Sequence, residues 1–228
     1  MYRIVKEKNA EGVVEDKVYG VLMDFDLSSW TKDIKGDYSK TSQQRTGTPP
    51  FMADELLRGS DALHLYRHDL ESLFYVMLIL ATHYEIQPPT EKKEGRLCMR
   101  KGSEELPYEL WFGQPTYKAL ASYKRDFFSD LGYLNLSPDF EDFRSWLVDL
   151  RRSFRQGIRA KEIHQDELET LQENQGDGFE DEVTPEFDYE TLGGHVHYST
   201  LINPVCKLQG KLRGLIIRYD PSLSTSTA

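Results

Sequence analysis

The sequence has little cysteine: Cys98 and Cys206 are the only two in 228 residues. Two thiols make no disulfide framework, which excludes the small cross-linked secreted scaffolds and points to a reducing compartment. A long apolar run is also missing. The longest, Leu70 to Ala81, is broken by Glu71 and Ser72 and is too short to span a bilayer. Met1 to Lys8 carries charges throughout and no apolar stretch, so it is not a secretory signal. The expectation is an intracellular protein, cytoplasmic or nuclear, with no membrane partner. Excess positive charge is absent too. With 28 Lys and Arg against 38 Asp and Glu, the net charge is −10 and the pI about 5.1. That balance excludes a general nucleic-acid or anionic-membrane binder.

What is present is a globular composition, 39% apolar and 29% charged, on a chain long enough to bury a sizeable core. The acidity is local. Residues 162–190 hold twelve acids and no Lys or Arg, so the rest of the chain sets 28 bases against 26 acids. An acid-only stretch reads first as a solvated or flexible insert, and second as a docking strip for basic partners.

Met1–Glu7 and Val18–Met23 read as two strands of a hairpin around the turn residues Asn9–Gly12. Residues 28–50 show no hydrophobic period and read as a long loop. A short helix follows at Ala53–Arg58. Arg67–His83 reads as a helix apolar on nearly every face, and hence buried in the middle of a domain. Residues 85–105 read as charged loop. Pro115–Leu131 is an amphipathic helix. Ser137-Pro138 opens another, in which Phe140, Phe143, Leu147, Leu150 and Phe154 recur every three or four residues. The aromatics at 127, 128, 140, 143, 146 and 154 fit core packing.

Asp24-Phe25-Asp26 follows the second strand, where a carboxylate can hold a magnesium ion while the aromatic packs behind it. Arg45-Thr46-Gly47-Thr48 through Asp54-Glu55 then closes the long loop. Arg67-His68-Asp69-Leu70-Glu71-Ser72 heads the buried helix. In this order the three sites resemble the second half of a eukaryotic protein kinase domain, and their wording is closest to the fungal-type protein kinase family. The match is strong over residues 18–83 and loose over 106–157. Asp188 to Gly194 also resembles the family's C-terminal end.

The resemblance implies a mainly α fold with a small N-terminal β-hairpin, a kinase-like C-lobe whose N-lobe is absent. It implies ATP and Mg²⁺ as cofactors and a protein substrate or partner. By position, Asp24 is the metal and cofactor residue and Phe25 packs beneath it. Thr46, Gly47 and Thr48 shape the substrate-binding loop. Glu55 makes a buried ion pair with an arginine of a later helix, for which Arg144, Arg151 and Arg152 are the candidates. Asp69 binds backbone amides of the catalytic loop. Asp26 stands where the family has glycine, and Asp54 where it has proline.

The 228 residues contain no Gly-x-Gly-x-x-Gly, no strand lysine paired with a helix glutamate, and no catalytic-loop Asp-x-x-x-x-Asn. No catalytic base is therefore assigned. Met1-Tyr2-Arg3 resembles the position just after the catalytic loop. The expected organisation is a kinase-like C-lobe over 1–160, with its activation segment at about 24–55 and its central helix at about 67–83. An acidic flexible insert over 161–190, a return over 191–218 and a disordered tail over 219–228 follow. Two functions compete: a fungal-type protein serine/threonine kinase seen through its C-lobe and inactive as this chain, and a non-catalytic, pseudokinase-like interaction module. A third reading is a chain begun too late to be stable, which would expose apolar area on the hairpin.

Overall fold

The computed structural model describes residues 2–20, 47–59, 64–88, 96–100, 106–130, 132–174 and 186–208. The chain forms two compact units, residues 1–42 and 43–228. In the first, β1 (Tyr2–Lys8) pairs antiparallel with β2 (Val14–Gly20), from Tyr2 opposite Gly20 to Lys8 opposite Val14. The second strand therefore begins earlier than its apolar run. Asn9 builds the turn: its side-chain oxygen accepts from the Glu11 and Val13 amides, and Gly12 takes a φ of +82°.

The second unit is helical. Its described elements are α1 (Asp54–Arg58), α2 (Tyr66–His83), α3 (Tyr117–Ser129), α4 (Arg144–Asn174) and α5 (Tyr198–Leu208). Short 3-10 turns lie at Pro49–Phe51, Glu109–Phe112 and Pro138–Phe143. Helix α2 is the centre, as its apolar sequence predicts: Phe74, Tyr75 and Leu78 are fully buried. Around Phe74 stand Phe127 and Phe128 of α3 and Phe154 of α4, with ring centroids 5.7–6.1 Å apart. Trp111 meets Tyr75 edge-on at 5.2 Å. Such offset and edge-on pairs add to the burial of large apolar area. Among the described residues no helix is long and apolar enough to cross a membrane.

Three differences from the sequence reading stand out. Within the expected loop 85–105, β3 (Tyr84–Gln87) pairs antiparallel with β4 (Arg96–Met99). The apolar residues of that hairpin alternate over only four positions a side, too few to stand out from the charges between them. Second, Ser137 precedes the Pro138 turn but its hydroxyl caps nothing; it is buried without a partner, while its amide donates to Ala81 O at 2.7 Å. Third, the acidic segment does not begin as a flexible insert. Helix α4 runs on through Asn174, with His164 buried and Leu168 and Leu171 half-buried on the same side. Glu, Gln, Leu and Lys are good helix formers, so composition alone hid the helix. Residues 175–185 and 209–228 lie outside the described residues, and with them the end of the expected return and the whole of the expected tail over 219–228.

Candidate functional site: an anchored loop end

The loop before α1 emerges at Gly47, whose φ of +124° suits only glycine, and at Thr48; both are exposed. Thr48 O accepts from the Phe51 amide at 2.9 Å and starts the Pro49–Phe51 turn. The chain then dives inward. Met52 and Ala53 are buried, and the buried ammonium of Lys124 donates to Met52 O. That ammonium also lies over the Tyr75 ring, 3.8 Å from its centroid. Burial pulls Lys124 down to about 7, while the carboxylates of Glu71 and Asp54 act in the opposite direction.

Ala53, the N-cap of α1, has no side chain to cap the helix. A carboxylate from another helix does so instead. Glu71 Oε1 on α2 accepts from the Asp54 amide at 2.8 Å and from the Tyr75 hydroxyl at 2.6 Å. Burial pushes the Glu71 carboxyl up, and these two donors and Lys124 oppose it. Asp54 itself accepts from Arg58 Nε at 3.0 Å and lies 3.5 Å from Arg125 Nε.

Glu55 joins the loop end to two other helices. Its Oε2 accepts from the buried Arg67 guanidinium and from Lys161 Nζ at 2.9 Å. Arg67 is only 3% exposed, and its Nε donates to Tyr189 O at 2.7 Å. The His68 ring faces the same oxygen, Nε2 to Oε2 3.8 Å. His68 Nδ1 accepts from the Leu65 amide at 3.0 Å, so the neutral ring carries its proton on Nε2, toward Glu55. Burial alone raises the Glu55 carboxyl; His68, Arg67 and Lys161 outweigh it and hold the group far below the usual carboxylate range. Burial pulls His68 below its ordinary value, and Glu55 acts against that.

The expected partners of Glu55 need correction. Arg144 binds Glu141 and Leu134 O, Arg151 binds Gly132 O, and Arg152 binds Asp149. These three lie nine or more residues before Lys161 on α4, about 14–26 Å along the axis. The pair is instead made by Arg67, two residues before Asp69, and by Lys161, where α4 turns from basic to acidic. Lys124 and Glu71 were also missed. A lysine inside an amphipathic helix reads as a solvated residue until the facing carbonyl is known.

Asp69 sits in the first turn of α2 with its side chain 71% exposed, bonded to His64 Nε2 at 2.9 Å. That bond, first, raises the His64 ring, and burial acts against it. Among the described residues Asp69 holds no backbone amide. Asp24, Phe25 and Thr46 lie outside the described residues. The structure therefore assembles Gly47, Thr48 and Glu55 as one anchored segment on α2.

Comparison with known proteins bears on this segment. Residues 4–81 match the family model described as fungal protein kinase. No curated protein and no solved structure matches the chain. The matched stretch runs from the β1–β2 hairpin through Gly47, Thr48 and Glu55 to the buried helix. Over this stretch, about a third of its length, the chain is similar to the fungal protein kinase family.

Proposed function

We propose that the chain is the C-lobe of a fungal-type protein serine/threonine kinase, the part that receives the protein substrate. The observation carrying this reading is the Glu55 node. It ties the end of the loop bearing Gly47 and Thr48 to the most buried helix of the unit through Arg67 and Lys161. Phosphoryl transfer depends on positioning and charge neutralisation, so a substrate loop must be held still. Residues 47–58 are held by three helices: Glu71 on α2, Lys124 on α3 and Lys161 on α4.

ATP and Mg²⁺ are the cofactors the family uses, and the metal neutralises charge on the transferring phosphates. Asp24 is the residue we assign to it, on sequence position alone. The chain by itself is expected to transfer no phosphate. Transfer of labelled γ-phosphate, by this chain joined to the nucleotide-binding half and catalytic loop of a member of the same family, tests the reading. Transfer lost in Asp24→Asn supports it; a folded fusion without transfer contradicts it.

A second reading, a non-catalytic interaction module, is favoured by Asp69. Its carboxylate is exposed and engaged by His64 rather than by a backbone loop.

A further inference from the structure

The first half of the acidic stretch is helix, and charge falls along that helix in an unfavourable order. From Arg144 to Lys161, α4 carries six bases and one acid; from Glu162 to Asn174 it carries five acids and no base. The helix dipole favours the reverse. Glu162, Asp166, Glu169 and Glu173 follow one another at spacings of four, three and four, so they form one stripe. Like charges at these spacings repel, and nothing in the folding of α4 asks for them.

Beside the stripe lies an open groove of about 470 Å³, lined among the described residues by Ile163, Asp166, Glu167, Thr170 and Leu171. Ile163 is 50% exposed, while the adjacent His164 is buried and stacked on Phe187 at 4.9 Å. One side of this turn is thus anchored and the other leaves an apolar side chain uncovered. The Thr170 hydroxyl donates to Asp166 O at 2.8 Å, so the groove floor is apolar surface between carboxylates. The first acid of the stripe already holds a cation from another helix: Glu162 Oε1 accepts from Arg125 Nη1 at 2.5 Å. Among the described residues no cation faces Asp166, Glu167, Glu169 or Glu173.

We propose that this face of α4 docks a cationic protein segment bearing an apolar side chain between its lysines or arginines. The apolar side chain packs on Ile163 and Leu171, and the bases meet Asp166, Glu167, Glu169 and Glu173. Charge complementarity selects this occupant, because an acidic peptide, a nucleic acid or an anionic membrane is repelled by the same stripe. The inference stands whether or not the chain is part of a kinase.

Fluorescence anisotropy of the full chain with a labelled amphipathic lysine–leucine peptide tests it, beside a peptide with glutamate in place of lysine. The lysine peptide is expected to bind, to weaken with added salt, and to lose about tenfold in affinity in D166K/E167K and in Ile163→Ser. Glu109→Lys, an exposed change elsewhere, leaves binding unchanged. Melting curves equal to the parent's show that the variants are folded. No binding by the parent, or equal binding by D166K/E167K, overturns the proposal. So does binding that emerges only when residues 209–228 are removed, which makes the chain's own tail the occupant. Self-association of the chain through this face, abolished by Ile163→Ser, overturns it as well.

Discussion

Glu55 joins α1 to α2 and α4 through one oxygen, with Arg67 and Lys161 on it and His68 facing it. Its carboxyl titrates lower in the folded chain than in the unfolded one, where 4.5 is the ordinary value. A depressed carboxylate contributes stability that is fully present above its unfolded value and is lost as pH falls through the folded one. The parent is therefore expected to lose stability below about pH 4.5, and Glu55→Gln to lose part of that acid dependence. The glutamine variant leaves Arg67 buried with only Tyr189 O. Breaking a buried pair costs about 3–5 kcal/mol; because the Glu55 side chain is 35% exposed, we expect about 2 kcal/mol. Urea unfolding across the acid range measures both, and an unchanged acid limb in Glu55→Gln contradicts the assignment.

Lys124 is the second test at this scale. It is fully buried, on Met52 O and the Tyr75 ring, with Glu71 buried nearby. Lys124→Met leaves a buried carboxylate without its cation and is expected to destabilise the fold by about 3 kcal/mol. Adding Glu71→Gln removes that lone charge, so the double variant should lose less than the two single losses summed. Strict additivity in a thermal or urea double-mutant cycle would show that the two groups are uncoupled.

At the scale of elements, α4 packs closely enough at one point to require glycine. A Cβ on Gly157 would lie 2.6 Å from Leu192 Cβ, in a turn where Leu192, Gly193 and Gly194 all have positive φ. Gly157→Ala should therefore destabilise by about 1–3 kcal/mol, although alanine is the better helix former. A rise in melting temperature would contradict this packing. The long elements were legible in the sequence. α2 is apolar all round and stands in the centre, and α3 and the start of α4 show their apolar stripes. The β3–β4 hairpin was not legible, because four residues a side carry too little alternation. The end of α4 was hidden behind its charge. The partners of Glu55 were illegible for another reason: an ion pair between residues 106 apart is fixed by how helices pack, not by any local pattern.

On the scale of the whole molecule, the formal charge of −10 is no uniform property. It comes from residues 162–190, whose helical half carries the acid stripe and the apolar groove. The buried core of the described residues lies between Met52 and Leu201, and the anchored loop end is built on it. The family match over residues 4–81 takes in the β1–β2 hairpin, the loop end and most of α2, whereas α3, α4 and α5 lie beyond it. The supporting helices are thus read from packing alone. We propose that this chain supplies the substrate-side half of a phosphoryl-transfer enzyme. The most direct test is labelled γ-phosphate transfer to a protein by a folded fusion of a fungal-family nucleotide-binding half, catalytic loop included, to residues 2–228. The account predicts transfer that disappears with Asp24→Asn; a cooperatively melting fusion that transfers nothing, or transfer that survives Asp24→Asn, would contradict it.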